Sequence, residues 1–310
     1  MKPALLLYPH ISSYPVLLLL GFFFGWLLAR SRANRFGILP RDLDNISLLL
    51  PIAGLFGARL FARLFYAKLP LLEALKVWEG DGLVFYGGFL FSILAVIVYG
   101  TIRKVRLVKL MDCLAPSAAL GLAFGRVGCF LAGCCWGDVC IDHSRLAAIN
   151  DLAVVQRIQT IPPISKEGTI FAVQFPKKSD TYKQHARLNL VTPDQDRSLP
   201  VHPVQLYEAI LASLLCLYIA RRRVGLKPFD AGLMLLVGYA LIRFATEFLR
   251  ADNKIYAFGM TFSQVVSVYI LLGCTLIVGL RMCLWKQGEA KPAAVPDPSS
   301  FSPEAAITAE

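Results

Sequence analysis

Seven blocks of mainly apolar residues, each roughly 20 residues long, are separated by polar segments along this chain. That length is what a helix needs to cross the hydrocarbon core of a bilayer. Charged residues make up 17% of the chain, well below the roughly 25% of soluble domains. The pattern predicts an all-α integral membrane protein with a bundle of about seven transmembrane helices.

The predicted spans divide the chain into a membrane domain and a tail. The spans are residues 14–29, 46–66, 83–102, 111–131, 204–220, 229–249 and 262–284. Between the fourth and fifth spans, residues 132–203 form a polar loop that is too long and too charged to lie in lipid. The transmembrane domain is therefore residues 1–286, and the Pro-, Ala- and Ser-rich residues 287–310 are predicted to be a disordered tail.

The positive charge of the chain indicates its orientation. The net charge is +11, and outside the long loop the basic residues cluster after the first, third, fifth and seventh spans. By the positive-inside rule these clusters are cytoplasmic, so we expect the N-terminus outside, an extracytoplasmic loop 132–203 and a cytoplasmic C-terminus. Clusters of this kind argue against a nucleic-acid partner. Since no cleavable signal pattern precedes the first span, that span is expected to remain in the mature chain.

Ionisable residues inside the predicted spans mark candidate functional positions, because they are costly in lipid. Tyr239, Arg243 and Glu247 are spaced four residues apart on the sixth span, so they share one helical face. Arg126 lies late in the fourth span. We expect Arg126 and Arg243 to form an anion site for a phospholipid phosphate in the outer leaflet. The alternative is an ion pair of Arg243 with Glu247 that only orders the bundle.

Three other arginines, Arg59, Arg63 and Arg250, lie within or just beyond predicted spans. Arg250 is a candidate for substrate binding. For all three, the alternative is that the long side chain extends to the lipid headgroups.

A polar segment marks the entry to the fifth span. It contains His202, Gln205, Tyr207 and Glu208, and Pro203 suits the first turn of a helix. Gln205 and Glu208 are predicted to share one face, and His202 is a candidate for proton transfer. A structural histidine is the alternative.

Tyr86, Gly87 and Gly88 begin the third span. Without side chains, the two glycines leave the backbone open to a ligand. The alternative is a simple turn. Tyr86 is a second candidate for proton transfer.

Four cysteines, Cys129, Cys134, Cys135 and Cys140, cluster at the outer end of the fourth span. Structural disulfides are the favoured interpretation, because this side of the membrane permits oxidation. A metal site is less favoured, because the spacing lacks the paired two-residue gaps of zinc sites. A redox-active pair of Cys134 and Cys135 is also less favoured, because the sequence around them contains no thioredoxin-like motif. No metal ligand and no cofactor is therefore assigned.

These motifs together resemble those of the prolipoprotein diacylglyceryl transferase family. Residues 125–137 resemble its signature Gly-Arg-x-Gly-Asn-Phe-x-Asn-x-Glu-x-x-Gly-Arg. Residues 202–208 resemble its His-Pro-x-Gln-Leu-Tyr-Glu motif. Residues 239–252 resemble Tyr-x-x-x-Arg-x-x-x-Glu-x-x-Arg-x-x-Asp, with one residue fewer before Asp252, and residues 259–267 resemble the entry to the family's last span.

The chain departs from this pattern at five positions. Cys129 and Ala132 replace the signature asparagines, Cys134 replaces the glutamate, and Asp138 replaces the closing arginine. Tyr86 stands where the family has a histidine before Gly-Gly. The chain therefore resembles a divergent, cysteine-rich branch of the family.

The resemblance implies transfer of a diacylglyceryl group from phosphatidylglycerol to the lipobox cysteine of prolipoproteins. This is the first step of bacterial lipoprotein maturation, at the inner (plasma) membrane. The implied partners are phosphatidylglycerol, prolipoprotein signal peptides and membrane lipids. The implied catalytic residues are Arg126, Arg243, Glu247, His202 and Tyr86, and the implied substrate-binding residues are Arg126, Gly87, Gly88, Gln205, Tyr207, Glu208, Tyr239 and Arg250.

Two alternatives stay open at the level of sequence. The first is a non-catalytic or altered-substrate relative that binds lipid or a membrane partner, which the replacement at Tyr86 would fit. The second is a membrane thiol-redox protein that uses Cys134 and Cys135.

Overall fold

A computed structural model describes residues 13–67, 69–76, 78, 84–139, 171–188, 190–191, 194–222, 229–250 and 255–289. The described helices are α1 (Ser13–Ala33), α2 (Pro40–Phe61), α3 (Leu71–Ala74), α4 (Phe85–Ile102), α5 (Leu107–Ala132), α6 (Asp180–Arg187), α7 (Val204–Arg221), α8 (Asp230–Glu247) and α9 (Phe262–Glu289). A 3-10 turn (Asn34–Phe36) follows α1, and a π-helical turn (Ala62–Tyr66) continues α2. A short antiparallel hairpin, β1 (Ile255–Ala257) and β2 (Met260–Thr261), connects α8 to α9.

Five helical segments in the described part of the chain are long and apolar enough to cross a membrane. They are Ser13–Phe36, Pro40–Phe65, Leu107–Ala132, Val204–Arg221 and Phe262–Cys283, and Gly87–Ile102 is a shorter apolar helix. The prediction of an all-α, multi-pass membrane protein is confirmed. The described part of the chain has five such helices where about seven spans were predicted. The apolar segment Gly87–Ile102 of α4 is shorter, and α8 carries three charged residues, Asp230, Arg243 and Glu247.

Helix α5 lies at the centre of the bundle and packs against α1, α7 and α8. Ala115, Ala119 and Ala123 recur at four-residue spacing on α5 and are all buried, which lets neighbouring helices approach closely. Gly21 of α1 is so close to α5 that a Cβ there would lie 2.7 Å from Cβ of Phe124. Helix α2 packs against α4, and α9 packs against α8.

Apolar side chains cover the outer surface of the bundle. On α9, Leu272, Leu276 and Leu280 are 60%, 64% and 55% exposed, and α1 presents a similar row. A continuous exposed apolar surface of this kind is rare on proteins surrounded by water. It fits a helix whose outer face contacts lipid.

A small polar domain, here called the head, covers one end of the bundle and comprises residues 133–139, 171–188, 190–191 and 194–203. Its core is formed by Trp136, Phe175 and Val201. Helix α6 is joined to the end of α5 because Thr181 Oγ1 donates a hydrogen bond to the Gly133 carbonyl at 2.9 Å. His185 of α6 is buried, and its Nδ1 accepts a hydrogen bond from the Leu199 amide at 3.3 Å.

Parts of the sequence prediction fall outside the described residues. They include residues 1–12, residues 140–170 of the predicted loop with Cys140, Asp252, and residues 290–310 of the predicted tail. Helix α9 continues to Glu289, past the predicted start of the tail at residue 287.

Candidate active site

Three helices contribute charged side chains to one cluster near the head. Arg126 lies six residues before the end of α5, which is about 9 Å along the helix. Glu208 lies in the second turn of α7, and Arg243 lies in the last turn but one of α8. Because these three helix ends meet beneath the head, residues far apart in sequence come together there.

The carboxylate of Glu208 bridges the two arginines. Arg243 Nη1 donates a hydrogen bond to Glu208 Oε1 at 2.8 Å. Arg126 Nε lies 2.5 Å from Glu208 Oε2, in an ion pair whose angles do not make it a hydrogen bond. Thr246 Oγ1 adds a hydrogen bond to Glu208 Oε1 at 3.1 Å. Arg126 and Arg243 therefore converge, as predicted, and the group on which they converge is a carboxylate.

A second carboxylate pairs with the other terminal nitrogen of Arg243. Arg243 Nη2 lies 3.0 Å from Glu247 Oε2, one helical turn further along α8. The same nitrogen donates to Ser263 Oγ at 3.0 Å, and Thr261 Oγ1 donates to Glu247 Oε1 at 2.8 Å. Since Thr261 belongs to β2 and Ser263 to α9, the hairpin and the last helix fix the position of Arg243.

Tyr239 completes the predicted polar face of α8. Arg126 Nη2 lies 3.4 Å from the Tyr239 hydroxyl, which accepts a long hydrogen bond. Tyr239 contacts the arginine of α5, whereas Arg243 and Glu247 pair with each other. The three residues therefore do share one face, as their spacing predicted.

The arginines are the accessible part of this cluster. The side chains of Arg126 and Arg243 are 16% and 14% exposed, whereas those of Glu208 and Glu247 are 2% and 0% exposed. Each guanidinium has five N–H donors, and the contacts described above do not use all of them. The cluster therefore presents cationic donors to the accessible side and keeps its carboxylates behind them.

The residues at the start of α7 connect the cluster to the head. Gln205 is buried, and its Nε2 donates to the Cys134 carbonyl at 2.6 Å. The backbone of His202 pairs with Gly137 and Asp138, with N–O distances of 2.9 and 3.0 Å. The ring of His202 is 6.5 Å from that of Tyr207. His202 and Tyr207 are thus adjacent to each other.

Burial determines the protonation of His202. His202 lies two residues before the first residue of α7 and is 8% exposed. Burial lowers the pKa of His202 below its usual value, because the charged ring would lose its hydration. The ring is therefore neutral near pH 7 and can accept a proton.

Arg250 lies beyond the end of α8 and does not extend to the surface. It is 7% exposed, and its backbone pairs with that of Gly137 in the head. Arg63 also has a partner in the protein, because its Nη2 donates to the Glu73 carbonyl at 2.8 Å in an exposed hydrogen bond. The alternative of headgroup contact is wrong for the buried Arg250.

Gly87 and Gly88 make the contact between α2 and α4. A Cβ on Gly87 would lie 2.3 Å from the Gly57 carbonyl oxygen, and one on Gly88 would lie 2.9 Å from the Gly54 carbonyl oxygen. The described contacts of both glycines are with a neighbouring helix. Tyr86 is in the first turn of α4, and its side chain lies outside the described part of the structure.

Sequence reasoning missed three hydroxyl groups as members of this site. Thr246 contacts Glu208, Thr261 contacts Glu247, and Ser263 contacts Arg243. The sequence could have indicated Thr246, because this residue lies three positions after Arg243 and so falls on the same helical face. Thr261 reaches the cluster through the hairpin, which the hydropathy pattern does not show.

Comparison with known proteins identifies the family. A family model described as prolipoprotein diacylglyceryl transferase matches residues 3–279, which is most of the chain. The chain belongs to the prolipoprotein diacylglyceryl transferase family. The family inferred from the sequence motifs is thereby confirmed.

Curated relatives resemble the chain over most of its length, and each is named phosphatidylglycerol–prolipoprotein diacylglyceryl transferase. The Burkholderia orbicola protein (strain MC0-3) is 28% identical over 291 residues, which cover 89% of this chain and 90% of that protein. The Methylococcus capsulatus protein is 29% identical over 282 residues, covering 86% and 90%. The Xylella fastidiosa protein (strain M23) is 31% identical over 275 residues, covering 84% and 86%.

Cys129 and Cys134, which depart from the transferase signature, and the neighbouring Cys135 lie next to the arginine cluster. Cys129, Cys134 and Cys135 are free thiols, so the structure does not contain the favoured disulfides among these three. Hydrogen bonds with the Cys129 and Cys134 thiols lower the pKa of Cys135, and the positive charges of Arg250 and Arg126 lower it further.

Proposed function

We propose that this member of the transferase family moves a diacylglyceryl group from phosphatidylglycerol to the lipobox cysteine of prolipoproteins. Family membership and the names of the relatives support the reaction. The observation that carries the proposal is the convergence of Arg126 and Arg243 on Glu208, with both guanidinium groups on the accessible side.

The proposed reaction is a displacement at carbon. The cysteine sulfur forms a bond to the glyceryl carbon that bears the phosphate ester, and the bond from that carbon to the ester oxygen breaks. Glycerol phosphate leaves with the electron pair, and the thiol proton leaves the sulfur for a base. Two demands follow: the thiol must lose its proton, and the negative charge that grows on the phosphate must be stabilised.

Arg126 and Arg243 are suited to the second demand. Guanidinium groups match the geometry of phosphate oxygens and bind them through paired hydrogen bonds. Glu208 fixes both groups in place before substrate arrives, and Glu247 and Ser263 fix the rotation of Arg243. Donors that are already in position need no reorganisation during the reaction, which is the main source of this form of catalysis.

His202 and Tyr86 remain the candidates for the base. His202 is supported by its neutral ring at the head end of α7. We further propose that Gln205, Tyr207, Tyr239 and Arg250 contribute to binding the two substrates, since Gln205 and Tyr239 contact the segments that flank the arginine cluster.

The proposed orientation follows from the basic clusters after alternate spans. We propose that the chain lies in the bacterial inner membrane with its N-terminus and head outside and its C-terminus in the cytoplasm. The arginine cluster then lies in the outer half of the bilayer, within one to two helical turns of the head. A signal peptide and a phospholipid headgroup both reach that level.

Complementation tests the function directly. A bacterial strain depleted of its own transferase is supplied with this gene, and growth and the mass of a prolipoprotein reporter are followed. Growth together with a diacylglyceryl mass shift is the expected result, and the Arg126→Ala variant should give neither. A wild-type chain that is present in the membrane but leaves the reporter unmodified would instead identify a non-catalytic relative.

A further inference from the structure

Three thiols lie close together beside the arginine cluster, and the proposed reaction does not use them. The Sγ atoms of Cys129, Cys134 and Cys135 all lie within 4.8 Å of one another. All three side chains are partly buried. Cys113 and Cys216, in contrast, are fully buried within the bundle.

The end of α5 brings two of these thiols together. Gly133 adopts a left-handed conformation with φ 69°. The Cys134 amide donates to the Cys129 carbonyl, and the Gly133 amide donates to the Phe130 carbonyl, both at 3.1 Å. This pair of hydrogen bonds is a Schellman motif, which turns the chain back over the last helical turn. Cys134 is thereby returned to the level of Cys129.

Backbone strain places the third thiol. Cys135 has φ 58°, a conformation that costs a residue with a side chain about 1–2 kcal/mol. The flanking residues hold it there, because Gln205 Nε2 binds the Cys134 carbonyl at 2.6 Å and Gly137 pairs with Arg250. Strain that is maintained by its surroundings is typical of functional positions.

The spacing of the sulfur atoms suits a metal ion. With thiolate–metal bonds of about 2.3 Å, three sulfurs in a trigonal plane lie about 4 Å apart. The observed spacing within 4.8 Å therefore needs a contraction of less than about 1 Å. A disulfide would require two of these sulfurs to approach to about 2.05 Å.

The charges around the thiols also suit a metal–thiolate centre. Arg250 and Arg126 place positive charges close enough to act on Cys135. These charges offset the negative charge that three thiolates retain around a monovalent or divalent ion. Thiolate ligands without oxygen or nitrogen partners select soft cations.

We propose that Cys129, Cys134 and Cys135 bind one soft, closed-shell cation, of which Cu⁺ fits a three-sulfur site best. The ion cross-links the last turn of α5 to the segment that leads to Gly137. It thereby rigidifies the connection between Arg126 and Arg250. The spacing of the three cysteines in the sequence does not predict this site, because the Schellman turn and the strained backbone at Cys135 bring the thiols together.

The test uses the full-length chain, purified in detergent and fully reduced. Thiol counting first confirms that the cysteines are free. The protein is then titrated with Cu⁺ in competition with a chromophoric Cu⁺ chelator. We expect about one tightly bound Cu⁺ per chain and a higher thermal midpoint in its presence. Cys129→Ser, Cys134→Ser and Cys135→Ser should each weaken binding at least about 100-fold.

The control is Cys283→Ser, since Cys283 is exposed on α9 and distant in sequence from the cluster. This variant should bind Cu⁺ as the wild type does. The proposal is overturned if the reduced protein does not bind Cu⁺ in competition with the chelator, or if the three cluster variants bind as tightly as Cys283→Ser. It is also overturned if two of the three cysteines prove to be joined in a disulfide that resists reduction. Because binding is measured directly, the result does not depend on transferase activity.

Discussion

Arg126 of α5 and Glu208 of α7 form an ion pair with 2.5 Å between Nε and Oε2, and the arginine is the exposed partner. Its side chain is 16% exposed, against 2% for the glutamate. The buried carboxylate therefore acts as a support that holds a cationic group towards the substrate side. The same carboxylate supports Arg243.

Arg126→Ala is expected to reduce lipidation by at least about 100-fold, because it removes a preorganised donor to the leaving phosphate. Arg126→Lys should restore little of the rate, since an ammonium cannot bind two oxygens in parallel. The measurement is the rate of reporter lipidation by purified protein in phosphatidylglycerol vesicles.

The matched control is Arg103→Ala. Arg103 pairs with Asp42 at the end of α4, and its side chain is 54% exposed, so this variant should keep its rate. Both proteins should be recovered from the membrane in equal amounts. Near-normal turnover by Arg126→Ala would exclude the arginine from the reaction.

Glu208→Gln is expected to destabilise the protein by about 3 kcal/mol, because two partly buried guanidinium groups lose the charge that they share. Removing Arg243 as well, in Glu208→Gln with Arg243→Gln, should cost less than the sum of the two single changes. Unfolding of the detergent-purified variants checks this coupling. Additive effects would show that the hydrogen bond of Arg243 to Glu208 contributes no energy of its own.

The face of α8 could be predicted from sequence because helical periodicity is local. Tyr239, Arg243 and Glu247 share a face in any regular helix, whatever surrounds it. The convergence of Arg126 with Arg243 was also expected, from their similar depth in the membrane. What the sequence could not provide was the bridging role of Glu208, because it depends on how α5, α7 and α8 pack together.

The cysteines and glycines show a second limit of prediction from the sequence. The spacing of Cys129, Cys134 and Cys135 argued against a metal site, yet a helix-ending turn and one residue with positive φ bring the thiols together. Gly87 and Gly88 seemed suited to a ligand, and their described contacts are instead with α2. The approach of the three thiols and the contact of the two glycines with α2 both depend on the three-dimensional structure, so the spacing of these residues in the sequence does not predict them.

Gly57→Ala is expected to destabilise the contact between α2 and α4 by about 1–3 kcal/mol. A Cβ at this position would lie 2.5 Å from both the Gly87 carbonyl oxygen and the Phe91 Cβ, so the two helices must separate. The control is Gly279→Ala on α9, where a Cβ would meet no atom within 4 Å.

Alanine is the better helix former by about 0.5–1 kcal/mol, so the control should be neutral or slightly stabilised. The measurement is the thermal midpoint of each variant in the same detergent. Equal midpoints for Gly57→Ala and Gly279→Ala would contradict the close approach of α2 and α4.

Acidification is expected to destabilise the head through His185. Burial lowers the pKa of His185 from 6.5 to about 4, so between these values the unfolded chain binds a proton that the folded head does not. Stability is therefore complete above pH 6.5 and declines as the pH falls towards 4. At low pH the free energy of unfolding of the head is reduced by about 3 kcal/mol, which is the free-energy equivalent of this pKa difference.

The variant His185→Gln separates this effect from general acid sensitivity, because glutamine cannot be protonated in this range. Its side-chain oxygen can still accept the hydrogen bond that Nδ1 receives from the Leu199 amide. Limited proteolysis of the head between pH 7.5 and 4.5 should show a shallower acid dependence in this variant than in the wild type. A residual slope is expected, because burial also lowers the pKa of His202. If both proteins become protease-sensitive with the same pH dependence, protonation of His185 is not what opens the head.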